Sequence, residues 1–410
     1  MKKLLLLTLV AGICMSMHAE YNSDEITDAA TPIDSASIAV ESVEPEKSEK
    51  PKGFFNQVQK VLDDTQSDIK FGGYIIGKYS INDRKHQSSN STFDLRLVRL
   101  YVDGHAFKDF YYKLQLQMNG APGEDKGPRI VDAFVEWQKF KEFRVKIGQF
   151  KRSFGYENPM NPLNVGFGAY SQATTKLIGF SDRVGEHACN GRDQGVQVQG
   201  DFFPAADGHR WLHYQVGLFN GQGVNHSDKD NHKDLIGGIW VSPVKGMRVG
   251  GFGWNGKYVN EGYKASGLGS DYDSQLKSVK RQRWAVSAEY EGDWMVRGEY
   301  VWSKGKKIGR VKNGVDAEGV QLYKDSPNYS DAWYIQAGAP KFYGFKLMGR
   351  WDCYRDNKEW NSLKQIYEIS LTYYFNKNLF IQAEYDITHD KTLAEDRTYN
   401  TFGVQVYCRF

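Results

Sequence analysis

Between positions 151 and 193 the chain reads KRSFGYENPMNPLNVGFGAYSQATTKLIGFSDRVGEHACNGRD, and five of its residues, Lys151, Arg152, Lys176, Arg183 and Arg192, are cations. No serine, histidine and acid are brought together by the sequence for nucleophilic catalysis, so the chain does not read as an enzyme. Cys189, Cys353 and Cys408 lack the C-x-x-C spacing of a zinc site, and no metal or cofactor is expected. The chemistry open to these cations is anion coordination. Folded into a water-filled space with low-dielectric walls, the segment would set a positive constriction, because such walls focus field lines. The competing reading is of solvated loop charges balanced by Glu157, Asp182, Glu186 and Asp193. A connection this long normally has a role, and Pro159, Pro162 and its aromatics suit an ordered element.

The elements that must hold this segment show in the alternation around it. In FYYKLQLQMN, Phe110, Tyr112, Leu114, Leu116 and Met118 share one parity, while Tyr111, Lys113, Gln115, Gln117 and Asn119 share the other. VDAFVEWQ likewise sets Val131, Ala133, Val135 and Trp137 against Asp132, Phe134, Glu136 and Gln138. About sixteen such segments run from Lys70 to Phe410, a number within the range of outer-membrane barrels. Their connections take turns: AFKD, KFK, SPVKG, GD and NKN on one side, long polar stretches such as 82–92, 259–282 and 304–331 on the other. Short turns on one side and long loops on the other mark a transmembrane antiparallel β-barrel with both termini in the periplasm. The closing period-two stretch YNTFGVQVYCRF is then the strand that seals against the first.

Composition agrees. There are 42 Gly, 25 Tyr, 23 Phe and 10 Trp against 11 Pro and 4 Cys, which suits long strands with aromatic girdles. Residues 1–19, with Lys2, Lys3 and an apolar run, read as a signal peptide, and no later apolar run is long enough for a membrane helix. Residues 20–52 read as a disordered acidic linker, 53–68 as a short amphipathic periplasmic helix, and 69–410 as the barrel. From Glu20 to Asp68 there are 12 acidic and 4 basic residues; after Asp68, 47 basic residues stand against 38 acidic ones. The expected location is the outer membrane of a Gram-negative bacterium. Its partners are then the lipid bilayer and small anionic solutes, with no nucleic acid.

Strand parity also sorts the wall. If the aliphatic and aromatic parity faces lipid, then Lys113, Arg144, Lys146, Arg297 and Arg350 face the lumen, together with Asp132, Glu136, Glu299 and Asp352. A barrel of about sixteen strands is too wide for its side chains to plug, so the default function is passive diffusion of small solutes. Two other motifs carry little. Gly251, Gly253 and Gly256 form a G-x-G-x-x-G that opens no helix, and HSDKDNHKD lacks the glycine and distal glutamate of a calcium loop. A second class of function stays open, a structural or interaction barrel whose external loops bind a surface partner.

GQFKRSFGYE (148–157), RDQGVQVQG (192–200), YQVGLFNGQGVN (214–225), GRWD (349–352) and the closing VQVYCRF together resemble the phosphate-selective porin O and P family of outer-membrane porins. The resemblance implies a sixteen-stranded homotrimer whose third external loop narrows the pore. It further implies that cations guide phosphate or polyphosphate-like anions, with Lys151, Arg183 and Arg192 as the positions carried over. Where the family pattern has proline after the basic residues of GQFK, this chain has Ser153.

Overall fold

The computed structural model describes residues 54–85, 90–120, 127–261, 276–308, 310–315 and 321–410. The leader 1–19 and the acidic linker 20–52 lie outside the described residues. Helix α1 (Phe54–Asp64) precedes the first strand. Sixteen antiparallel strands then close on themselves: β1 (Lys70–Asn82), β2 (Ser91–Ala106), β3 (Phe110–Gln117), β4 (Arg129–Trp137), β5 (Arg144–Lys151), β6 (Arg192–Pro204), β7 (Arg210–Phe219), β8 (Asp234–Val241), β9 (Met247–Glu261), β10 (Leu276–Glu291), β11 (Met295–Lys304), β14 (Tyr329–Gly338), β15 (Phe345–Arg355), β16 (Leu363–Tyr374), β17 (Leu379–Asp390) and β18 (Thr398–Arg409). Each strand pairs with its sequence neighbour, and β18 closes on β1 from Tyr74 opposite Arg409 to Asn82 opposite Thr401. Gly73 and Phe410 complete the seam by exchanging both backbone hydrogen bonds, at 2.9 and 3.0 Å. Closure matters because hydrocarbon offers an unpaired backbone group no partner.

Alternation fixes which side chain meets lipid. Ile369 is 51% exposed on the outer wall and the next residue, Ser370, is 0% exposed on the inner one. Two β-bulges interrupt the pattern. Ile76 faces Leu97 while Gly77 faces Leu95, which leaves Arg96 unpaired in the ladder. Its guanidinium reaches the lumenal Gln405 at 2.9 Å and Tyr407 at 3.3 Å. Gln115 faces Asp132 while Leu116 faces Ile130, so Val131 is the extra residue, and it is buried rather than on the lipid side where simple parity puts it.

Two further elements lie within the long connections. A separate two-stranded hairpin, β12 (Arg310–Val315) with β13 (Gln321–Asp325), sits in the connection before β14. Its strands are short, and their polar alternation does not stand out from a loop. The connection from β5 to β6, residues 152–191 and hereafter L3, carries the six-residue helix α2 (Gln172–Leu177), capped at its start by the Ser171 hydroxyl. The main apolar cluster is formed by L3, not by the strands alone. Phe154, Tyr156, Ala173, Leu177 and Ile178 pack on Phe252, Trp254, Val301 and Tyr334 of the inner wall. L3 is therefore folded into the barrel against one side.

Replacing Ile369 by arginine puts a cation on the lipid face of β16 and should cost about 2–4 kcal/mol near the bilayer midplane. Urea titration of folding into lipid vesicles measures this, and an unchanged midpoint would show that the residue does not meet hydrocarbon.

Candidate pore constriction

L3 is fastened by carboxylates that rise from the inner wall. Glu299 of β11 accepts the backbone N–H groups of Tyr156 at 2.7 Å and Glu157 at 2.8 Å, with the hydroxyls of Ser287 and Tyr334 on the same carboxylate. Asp352 of β15 accepts the N–H of Gln172 at 2.8 Å, at the first turn of α2, and Glu384 of β17 accepts that of Gly168. Ser370 and Gln382 both donate to the carbonyl of Gly166, each at 2.8 Å. Charged acceptors of backbone N–H groups make stronger hydrogen bonds than neutral ones. They let a 40-residue segment cross the lumen without stranding its own polar backbone.

A second set of contacts consists of buried ion pairs. Arg152 is wholly buried and donates to both oxygens of Glu186, at 2.5 and 3.0 Å, and to Asp193 at 2.8 Å. Arg281 of β10 reaches the same Glu186 at 2.9 Å and Asp234 at 2.8 Å. Gly256 makes room for this set, since a Cβ there would lie 2.0 Å from the Asp234 carboxylate. Arg283 grips both oxygens of Asp182 at 2.6 and 2.7 Å. Burial would raise the Asp182 carboxyl, but the Arg283 guanidinium outweighs burial and holds it down at about 2. Arg183 reaches away from the lumen wall to the carbonyls of Pro327 at 2.9 Å and Asp356 at 3.1 Å and to the Asp356 carboxylate at 3.3 Å, clamping three external connections together.

Opposite this packed side a chamber of about 300 Å³ remains between L3 and the wall of β1–β7. Its cationic lining is Arg99, Lys113, Lys146, Lys151, Arg152 and Arg192, and its single acidic lining residue is Asp132. Arg192 is neutralised by a bidentate pair with Asp132 at 2.7 and 2.9 Å. Lys151 donates to the carbonyls of Asn158 and Met160, so it holds the turn of L3 that forms the chamber's inner edge. Lys146 lies 3.3 Å from Glu136 and above the rings of Phe134 and Phe150, and Lys113 lies above Tyr101. Arg99 differs from these. It donates to the Tyr74 hydroxyl at 2.9 Å and to Gln117 at 3.2 Å, both neutral, and its Nε has no hydrogen-bond partner among the described residues.

The cations of the sequence pattern therefore separate into distinct environments. Lys151, Arg152, Arg192, Lys113 and Lys146 border the chamber. Lys176 sits half-buried on α2, where burial first and Lys364 second lower its pKa, and Arg183 belongs to the external clamp. Arg144 pairs with Asp201, Arg297 with Glu289, and Arg350 with Glu368 and Glu157. Ser153, at the point where L3 leaves β5, donates its hydroxyl to Gln197 of β6. Sequence reasoning missed Arg96 and Arg99. Three residues apart, they fall on opposite parities of a regular strand, and the bulge lets both reach lumenal partners. Cations of opposite parity within one strand segment were the available signal.

The sequence model of the phosphate-selective porin O and P family matches residues 72–406. No curated protein sequence matches. Among solved structures, the anion-selective porin from Comamonas acidovorans aligns with a TM-score of 0.56 at 14% identity, covering 84% of this chain and 99% of that one. OmpT of Vibrio cholerae in its trimer form gives 0.53 at 13% identity over 84% and 99% of the two chains. OmpF of Salmonella typhi, in complex with daunomycin, gives 0.56 at 15% identity over 83% and 97%. At these identities the likeness is one of fold.

Arg281→Ala leaves Glu186 and Asp234 with one cation fewer in a buried site, which costs about 3–5 kcal/mol. The expected result in planar bilayers is a flickering channel of raised conductance, formed by a barrel that still runs folded on unheated gels. An unchanged trace would mean that L3 does not depend on this pair. Acid should act on Asp182 in the same way. Its folded pKa is depressed below the ordinary carboxyl value, so its stabilising contribution is complete above about pH 4 and is lost as pH falls through about 2. Channel noise recorded between about pH 4 and about pH 2 should rise as the pH falls toward 2.

Proposed function

The chain belongs to the phosphate-selective porin O and P family and is an outer-membrane porin, and from that premise we propose that its channel prefers small anions, phosphate-like ones among them. The route is the chamber between L3 and the β1–β7 wall, and the charge of that lining carries the reading. Of the six cations that line it, Arg152, Arg192 and Lys146 are paired with carboxylates, while Arg99 meets the chamber with only neutral partners. Two unit charges 4 Å apart interact by about 4 kcal/mol at the effective dielectric of a protein surface, enough to recruit an anion that must shed part of its water. The neutral partners matter in the opposite direction. Tyr74 and Gln117 hold the guanidinium in place without cancelling its charge, and the aqueous setting keeps residence short enough for passage. The printed description of the Comamonas acidovorans porin as anion-selective is consistent with this reading.

We also propose a homotrimer. The outer wall carries exposed or half-exposed aromatics toward its external end at Trp284, Trp302, Trp333, Trp351, Tyr367, Tyr385 and Phe402, whereas β4–β7 present Ile130, Gln149, Gln194 and Leu218 there. Aromatic girdles mark the lipid-facing surface, so a sector without one is suited to protein contact. The trimer form described for OmpT supports the same reading.

In a tenfold KCl gradient the reversal potential should have the sign that favours chloride, and Arg99→Ala should move it toward zero. Asp132→Asn should move it the other way, because it releases the Arg192 charge. A potential favouring potassium in the unmodified channel would overturn the proposal.

A further inference from the structure

The chamber contains more than an inorganic oxyanion can use. Register places its components in rows. Arg99 stands opposite Gln117, Gln115 opposite Asp132, and Arg192 opposite Lys151. Nearer the short turns, Lys113 stands opposite Phe134, Lys146 opposite Gln197, and Gln199 between Arg144 and Gln215. Both sets of rows carry cations, and the inner set adds the Phe134 ring and the amides of Gln197, Gln199 and Gln215. The Phe134 ring is partly exposed, with the Lys146 ammonium over it at 4.9 Å and Phe150 at a centroid distance of 5.9 Å, and Phe150 in turn lies 5.4 Å from Phe219. Gln115, Gln197, Gln199 and Gln215 line the same chamber.

A phosphate ion can use the cations and the amide N–H donors, but it has no apolar face to lay on Phe134 and, as an acceptor, little use for the amide oxygens. The volume of about 300 Å³ also falls at the lower bound of sites that enclose organic ligands, well above the needs of one oxyanion. Each glutamine amide brings two N–H donors and an oxygen with two lone pairs. The Gln197 amide donates to Gln199 at 2.7 Å, and its oxygen accepts from Ser153, which leaves one donor and one lone pair. A ring face flanked by groups that both donate and accept suits a molecule with C–H groups on one side and hydroxyls at its edge.

We propose that the preferred solutes are sugar phosphates, bound with the phosphate at Arg99 and Lys113 and the sugar ring beside Phe134 and the glutamines of the lining. This rests on the anion pathway proposed above. An aromatic carboxylate would use the rings but leave the amides unmatched, and a site that hydrogen-bonds hydroxyls discriminates strongly against a ligand lacking them. A neutral sugar would forgo the cations.

Block of single-channel chloride current by glucose 6-phosphate, inorganic phosphate, benzoate and glucose tests this on the intact porin. Glucose 6-phosphate should block at a concentration at least tenfold below inorganic phosphate and benzoate, and glucose should not block. The double variant Phe134→Ala, Gln215→Ala should bring the two phosphates to about equal potency. Equal potency in the unmodified channel would overturn the sugar assignment while leaving the anion pathway standing. Benzoate acting at the lowest concentration would overturn the assignment in favour of aromatic acids. Absence of both chloride preference and block by any anion would overturn the anion pathway itself. Should the variant fail to assemble, the ratio in the unmodified channel still decides.

Discussion

Every backbone N–H and C=O that enters hydrocarbon must find its partner inside the protein, and the rest of this structure follows from that demand. A β-sheet meets it only by closing, and sixteen strands closed edge to edge leave a lumen too wide for the wall's own side chains to fill. Unassisted, such a barrel would be an unselective hole. L3 converts it into a lopsided channel, and L3 carries the same obligation to satisfy its backbone. Glu299, Asp352 and Glu384 meet it from the inner wall.

That solution divides the lumen electrically. On the packed side the cations are consumed by carboxylates: Arg152 and Arg281 by Glu186, Asp193 and Asp234, Arg283 by Asp182, and Arg350 by Glu368 and Glu157. Pairs of this kind do not add much stability compared with a well-packed apolar contact, yet breaking one is expensive. They fix where L3 lies more than they strengthen the fold. On the opposite side Arg192 and Lys146 are paired with Asp132 and Glu136, while Arg99 keeps only neutral partners. The field of the pore is therefore what remains after L3 has used the other charges, and the wall it leaves uncovered supplies the anion preference proposed above.

Much of this was legible in the sequence because lipid and water impose a strict period of two. Ile369 and Ser370 are neighbours with opposite exposure, and the alternation that separates them recurs along the barrel strands, broken at the bulges in β2 and β4. The length of the segment after β5 likewise marked L3 as an element with a role. The partners of its cations were not legible. Arg152 meets Glu186 and Asp193 at sequence separations of 34 and 41, and Arg183 meets Asp356 at 173. Which carboxylate neutralises which guanidinium depends on how L3 folds back on the wall, and no spacing rule encodes that. Arg99 was hidden for a different reason. A single bulge opposite Ile76 and Gly77 changes the parity of β2, and a pattern read in steps of two loses the residues on one side of it. The six residues of α2 are too few for a helical period to declare itself.

The central claim is that L3 leaves one basic wall of the lumen open to anions. Anomalous diffraction from crystals soaked in bromide tests it most directly, since the ion reports its own position without reference to function. The account predicts a bromide peak in the chamber, within contact of Arg99 and bordered by Lys113 and Arg192. A chamber without bromide, or a strongest lumenal peak beside the paired arginines Arg281 and Arg283, would contradict it.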